Sequence, residues 1–513
     1  MKKLLSLLIA LIVVLSTVAS CAAPADSNRD TAEANDAAGD LVDDENGTPS
    51  DDGNEPEDYE TDDSETIAEE TETETESLPD TETDVPPHED AFVIEDLDGY
   101  EFSIMSYTPI SNNMASCSND FDEPSEEIYA NAVYQRNLEV EQLFGITISE
   151  TVFDNASSVF NTLKDDTYAG ADFYDLCFMS TYNALPMAAA SFVKDVDTFE
   201  NIDLEKSWWN KDCIDQLAVH GNHSIISGDI SVTDKEALWA VYFNKDLISS
   251  LGLENPYELV TSGEWTRDKM YEMSVAAFSA NKNTAGLVTT NEHIVAGWAS
   301  AGQKLVSLDE AGKASLSCGN DTFYGILTEL KSMMDDDSVL VVFGSDSEGI
   351  SSSLASDRLN EGTALFSANP IYTVGSMRAE DTPFGILPMP KYSTSSADYV
   401  SHVSFYFSTI AVIPATVYYD AYEVGLIVEA LAAKGAEIIT PAYYDILLTS
   451  ASGRDEESAS MLDIIFANRS YDIGALCNFN SLCHAFKSES DLSPSQIYKS
   501  RKKDIEETLK ESW

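Results

Sequence analysis

The stretch Ala240-Val-Tyr-Phe-Asn244-Lys245-Asp246-Leu-Ile, continuing as Leu251-Gly252-Leu253-Glu254-Asn255-Pro256 and then Gly263-Glu-Trp265-Thr266-Arg-Asp268-Lys-Met270, holds the decisive pattern of this chain. The run 240–243 is short, apolar and aromatic, the composition that fits a pleated, half-buried strand. Thr266 stands before a helical start of mixed charge and reads as the N-cap of a helix through Phe278. Outward from this unit the alternation repeats. Runs at 102–107, 146–149, 173–179, 224–226, 364–366 and 384–387 read as further strands. Apolar residues at helical spacing mark a helix over 128–144 (Ile128, Val133, Leu138, Val140, Leu143, Phe144) and another over 420–433. Two short runs around Asp309-Glu310-Ala311-Gly312 predict a hairpin within 305–316. Alternating strands and helices over this length argue for α/β lobes.

Composition bounds the partners. The chain has 513 residues, 91 Asp+Glu against 28 Lys+Arg, and a formal net charge of −63. Such a balance opposes nucleic acid and anionic membrane surfaces, where every phosphate would be repelled. The charge is uneven. Residues 22–90 hold 27 acids and one base, Arg29, a net of −26; residues 91–513 hold 64 acids and 25 bases, a net of −39. The 423 residues of that second part exceed what one core usually supports, so two lobes are expected. Hydrophobic residues make up 43% of the chain, enough for a large interior.

The N-terminus reads as an address. Lys2 and Lys3 precede an apolar run from Leu4 to Leu15, too short for a span of roughly 20 residues, and small residues lead to Val18-Ala19-Ser20-Cys21. The ending resembles a bacterial lipobox. That resemblance implies a signal peptide over 1–20, a lipid-anchored Cys21 as the mature N-terminus, and a place on the extracellular face of a bacterial cell membrane. Residues 21–90 then form an acidic Thr/Glu/Asp/Pro-rich tether, expected to be disordered because it buries too little apolar surface to offset ordering entropy.

Catalytic fingerprints are missing: no Gly-x-Ser-x-Gly, no His-Glu-x-x-His and no Gly-x-Gly-x-x-Gly occur. His220 and His223 lack companions for a ligand set, so no metal and no cofactor are expected. Besides Cys21, six cysteines remain: Cys117, Cys177, Cys213, Cys318, Cys477 and Cys483. Cys477 and Cys483 make the nearest candidate disulfide, and Cys177, inside an apolar strand, reads as a buried free thiol.

From about Ala91 onward the chain resembles an extracellular solute-binding protein of the carbohydrate-type ABC importers (family 1). In that family a strand ends in an Asn-Lys pair, a short helix reaches Gly-Leu, and a Pro-containing turn leads to a Thr/Trp-started helix. Asp172-Phe-Tyr-Asp175-Leu176, Gly362-Thr-Ala364-Leu-Phe366 and Phe384-Gly385-Ile-Leu387-Pro388-Met389-Pro390-Lys391 add to the match. The tail, with Thr440-Pro-Ala-Tyr-Tyr444, Arg454-Asp455, Met461-Leu-Asp463 and Tyr471-Asp-Ile-Gly474, resembles a clostridial-type branch. The resemblance implies a two-lobed, periplasmic-binding-protein-like (type II) α/β fold with an interlobe ligand cleft. Lobe one would be 91–228 plus 388–435, and lobe two 229–387 plus 436–513. Crossings would fall near Gly228-Asp229-Ile230 and Leu387-Pro388. It also implies hinge closure around a solute, delivery to ABC permease subunits, a monomeric binder, and no catalysis.

Sugar recognition needs aromatic faces for pyranose rings and planar polar groups for hydroxyls. Residues just beyond strand ends line such a cleft. That rule nominates Tyr107, Ser180, Thr181, Tyr182, Asp229, Asn369 and Tyr372; by resemblance Glu292 and Trp298 join them, and Trp239 is a further candidate. Trp208, Trp209 and Trp265 read as packing residues. A neutral oligosaccharide suits a body of this charge better than an anion does. The alternatives are a surface-anchored polysaccharide-acting enzyme, or the same fold binding a cationic solute such as a polyamine or peptide.

Overall fold

The structure is a computed structural model and describes residues 92–108, 123–125, 127–309, 313–342, 353–377, 382–448, 456–476, 485–486 and 491–512. All of these belong to one unit, Pro87–Trp513. The expectations for the signal peptide, Cys21, the tether, Cys117, Cys477 and Cys483 lie outside the described residues.

The chain first builds β1 (Glu101–Tyr107), α1 (Ile128–Phe144), β2 (Thr147–Phe153), α2 (Ala156–Ala169), β3 (Leu176–Ser180) and α3 (Thr181–Ala189). It continues through β4 (Trp239–Asn244), α4 (Lys245–Leu251), α5 (Arg267–Ala280), β5 (Ala285–Thr290), α6 (His293–Ala299), α7 (Asp321–Met334), β6 (Val339–Val342), β7 (Ala364–Pro370) and β8 (Phe384–Pro388). The strand β9 (Thr409–Val412) and the helices α8 (Ala421–Leu448) and α9 (Glu456–Ala467) follow. One sheet has the order β9-β3-β1-β2, with β1, β2 and β3 parallel and β9 antiparallel to β3. The other has the order β8-β4-β7-β5-β6, with β7, β5 and β6 parallel and β4 antiparallel to β7 and β8. Helices covering both faces explain why β3 and β4 are buried along their whole length.

The quoted stretch folds as its residues dictate. Asn244 ends β4, and its side-chain oxygen accepts the Leu247 N–H at 2.8 Å, capping α4. Gly252 closes that helix at φ 63°, a left-handed conformation that glycine adopts without steric cost. Thr266 caps α5 by accepting the Lys269 N–H at 3.3 Å. Beside it the Trp265 indole is fully buried and donates to the Pro388 carbonyl at 2.9 Å, tying the start of α5 to the end of β8. The hairpin also forms, from Val306–Leu308 and Ala314–Leu316.

Three expectations change. The run 224–226 makes only an isolated bridge, Ile226 to Ala411, because the chain turns away at once beneath Trp208 and Trp209. The strand expected from 173 begins at Leu176, since Asp175 spends its carboxylate on the Ser103 N–H and the Tyr100 hydroxyl, both at 2.7 Å. The helix expected over 420–433 runs on to Leu448.

The chain passes from the first sheet to the second between Ile226 and Trp239. Residues 389–399 stay with the second sheet: Met389 and Tyr399 sit in its core and Lys391 bridges to Thr266. The return therefore falls after Tyr399, downstream of Leu387-Pro388, and reaches the first sheet at Thr409. The third link is α8. Its first half, including Val424, Ile427 and Leu431, packs in the first lobe's core; Ile439, Tyr443 and Leu447 pack in the core it shares with α9. Gly435 lies between, where a Cβ would stand 2.0 Å from the Asp229 carbonyl. Only glycine lets the helix pass that crossing. No helix among the described residues is long and apolar enough to cross a membrane.

Candidate functional site

The parallel strands β1 and β3 end at Tyr107 and Ser180, and the parallel strands β5 and β7 end at Thr290 and Pro370. The antiparallel β4 starts at that second edge, with Trp239 opposite Pro370. Side chains following the C-terminal ends of both sheets therefore face the crossing segments, which is where ligands gather in open α/β sheets.

Residues 402–409 thread this seam and touch both sides. Toward the first sheet, Thr409 shares a 2.7 Å hydrogen bond with the Tyr107 hydroxyl. The Ser408 and Thr181 hydroxyls lie 2.6 Å apart, and Tyr406 stacks on Tyr182 with ring centroids 5.4 Å apart. Toward the second sheet, Phe407 packs against Tyr372 at 4.9 Å, and His402 Nε2 lies 3.5 Å from Glu292 Oε1. The Ser404 N–H donates to the Ala237 carbonyl at 3.0 Å. Trp239 meets His293 edge to face at 6.1 Å. Asn369, in register with Ala240 beside Trp239, donates to Ser367 Oγ at 2.9 Å.

Several buried polar atoms here have no hydrogen-bond partner among the described residues: Trp239 Nε1, His293 Nδ1, Asn369 Oδ1, His402 Nδ1 and Ser404 Oγ. Each such atom costs about 1–3 kcal/mol when desolvated alone. Burial, and then the Arg267 charge, push His293 down to about 4, so its ring is neutral at physiological pH. Burial pushes the Tyr182 hydroxyl up, which keeps it a proton donor. The set mixes donors with acceptors and adjoins aromatic faces. It suits a polyhydroxylated neutral solute.

The carboxylates of the first crossing are already engaged. Asp229 pairs with Lys235 at 3.0 Å and accepts the Thr440 hydroxyl at 2.7 Å. Asp234 Oδ2 accepts from Arg469 at 2.7 Å and Ser227 at 2.8 Å. Burial alone would raise Asp234, but Arg469 and Lys235 outweigh it and hold the carboxyl below its ordinary value.

Of the nominated residues, the structure gathers Tyr107, Thr181, Tyr182, Glu292 and Tyr372 around 402–409, with Trp239 and Asn369 adjoining. Asp229 is turned to Lys235 and Thr440. Trp298 is buried in α6 against Phe323 of α7, ring centroids 4.0 Å apart, and its Nε1, like that of Trp239, has no hydrogen-bond partner among the described residues. Sequence reasoning passed over His293, His402, Ser404, Tyr406 and Phe407. Their signal is the segment Ser401-His402-Val-Ser404-Phe-Tyr406-Phe-Ser408, dense in hydroxyls and rings yet free of acidic and Lys/Arg side chains. Trp208 and Trp209 do pack, both indoles donating to the buried Glu429 at 3.2 and 2.9 Å. Cys177 is a buried free thiol. Among the described residues no group of three or more His, Cys, Asp or Glu side chains could hold a metal.

No protein-family model matches the chain, and no curated protein matches it. Solved structures do match. A cyclo/maltodextrin-binding protein complexed with maltotetraose aligns with a TM-score of 0.56 at 12% identity, covering 81% of this chain and 99% of its own. An ABC substrate-binding protein of Listeria monocytogenes, in complex with cycloalternan, aligns with a TM-score of 0.55 at 13% identity, covering 80% and 99%. UspC of M. tuberculosis aligns with a TM-score of 0.55 at 13% identity, covering 80% and 100%. The chain therefore has the two-lobed α/β fold of the maltose-binding-protein-like solute-binding proteins.

Proposed function

We propose that this protein is the solute-capturing component of a carbohydrate ABC importer. It binds a neutral oligosaccharide between its lobes and delivers it to membrane permease subunits. The observation that carries this reading is the set of unpartnered polar atoms on Trp239, His293, Asn369, His402 and Ser404 along the seam that also holds the Tyr182–Tyr406 stack, where both sheet edges meet. The sugar ligands of the fold's solved relatives support it. Sugar hydroxyls would satisfy these groups, and contacts from both lobes would favour a closed form over an open one. The lipobox-like ending at Cys21 and the acidic segment after it support an anchored position on the outer face of the cell membrane. The reading assigns no catalytic residue.

Calorimetry of the purified chain against neutral oligosaccharides and against polyamines and basic peptides tests this. Saturable binding to an oligosaccharide, recovered chemically unchanged, is expected. Binding confined to spermidine-like cations would overturn the sugar assignment, and release of new reducing ends would replace capture with hydrolysis.

A further inference from the structure

Nine large hydrophobic side chains are exposed among the described residues, and six of them fall in three short segments: Val93 and Ile94, Phe173, and Tyr418, Tyr419 and Tyr422. Phe173 precedes β3, and the tyrosines follow β9. Because β9 runs antiparallel beside β3, pairing Val412 with Cys177, these segments share the sheet edge opposite the seam. The segments adjoin. Asp172, next to Phe173, feels the charges of both Asp420 and Lys194, and the Lys194 ammonium lies 5.3 Å from the Tyr418 ring centroid. Tyr422 meets Glu95, which links it to the 93–94 segment.

The rings are open to solvent: Phe173 is 66% exposed, Tyr418 72%, Tyr419 88% and Tyr422 46%. A monomer rarely leaves such a concentration of rings uncovered without a binding role. Tyr418 and Tyr419 stand at 81° to one another, centroids 5.4 Å apart, so a flat surface cannot lie on both faces. Successive rings of a winding polymer can. Asp172, Asp420 and Glu95 rim the patch with acceptors, which repel anions and complement hydroxyl donors.

We propose that this pole is a second carbohydrate-binding surface, taking a neutral glycan chain whose pyranose faces stack on Phe173, Tyr418 and Tyr419 while its hydroxyls donate to Asp172 and Asp420. It shares no residue with the seam, and it would hold a polymer near the protein without enclosing it.

Native gels cast with amylopectin, mixed-linkage β-glucan or galactomannan test this on the full chain. Retardation by at least one glycan is expected. The triple variant Phe173→Ser/Tyr418→Ser/Tyr419→Ser should run as in a glycan-free gel while keeping the wild-type melting temperature. Tyr419→Ser alone, at the most exposed ring, should at least halve the retardation and guards against misfolding of the triple variant. No retardation by any glycan overturns the proposal, as does an unchanged triple variant. A concentration-dependent dimer abolished by the triple variant, or a lysine-rich peptide bound there in place of glycan, also overturns it. The triple variant leaves the seam intact, so failure of the seam to bind oligosaccharide in calorimetry is scored separately.

Discussion

Asp234 and Asn369 are almost equally buried, at 2% and 1% exposure, yet only the first is surrounded by opposite charge. Asp234 carries a charge: its Oδ2 accepts from Arg469, Ser227, Asn210 and Tyr471, and Lys235 lies 4.0 Å from Oδ1, which has no hydrogen-bond partner among the described residues. Asn369 is neutral, satisfies its amide nitrogen on Ser367, and leaves its oxygen without a partner alongside Trp239 Nε1 and His293 Nδ1. A buried ion cannot be left alone, because desolvation costs several kcal/mol per charge. A buried neutral group can be, at about 1–3 kcal/mol. The first region is wiring that holds the crossing in place. The second leaves hydrogen-bonding capacity unused.

Three measurements would break or sharpen that contrast. Asp234→Asn strips the charge facing buried Arg469 and should lower unfolding free energy in urea by about 3–5 kcal/mol; a loss under 1 kcal/mol would place the web on the surface electrostatically. The second concerns acid. His293 is held near 4 when folded against an ordinary 6.5, so below pH 6.5 the unfolded chain takes up a proton that the folded chain refuses. Stability from this site is full above pH 6.5 and declines as pH falls toward 4, by about 3 kcal/mol in total. Denaturation curves of wild type and His293→Gln at pH 7 and pH 4 should diverge by that amount, and parallel pH profiles would mean the ring is solvated. The smallest effect is Trp239→Phe. Removing an unpartnered N–H should leave the melting temperature within a few degrees while weakening oligosaccharide binding about tenfold, the worth of one hydrogen bond. Lost stability with intact affinity would move the indole into the wiring.

Much of the architecture was legible in the sequence because periodicity and punctuation agree there. The helix expected over 128–144 is α1 with those same bounds, and Asn244, Gly252 and Thr266 cap and stop helices where the residue types require. The extension of α8 past residue 433 was not legible. Gly435 and Pro441 read as breakers, and only burial of Ile439, Tyr443 and Leu447 overrides them. For the site, the strand-end rule found the edges because topology alone sets them. It could not separate roles within a residue type. Trp239 and Trp298 look alike in sequence, but one lies at a sheet edge beside His293 and the other is wedged against Phe323. In the segment 401–408, Val403, Phe405 and Phe407 alternate as in a strand, yet only Ser401–His402 pair as one, so a rule based on strand ends did not point to the residues that join both lobes.

The helix α8 has one further consequence. Its two halves are sewn into different interiors, and a helix is a continuous ladder of hydrogen bonds. The cluster around Tyr443 and Leu447 draws on both sheets, Met105 and Cys177 from one and Tyr242 and Phe384 from the other, so melting either lobe would expose them to water. Neither lobe has an independent existence to fall back on. The two lobes are expected to unfold in a single transition.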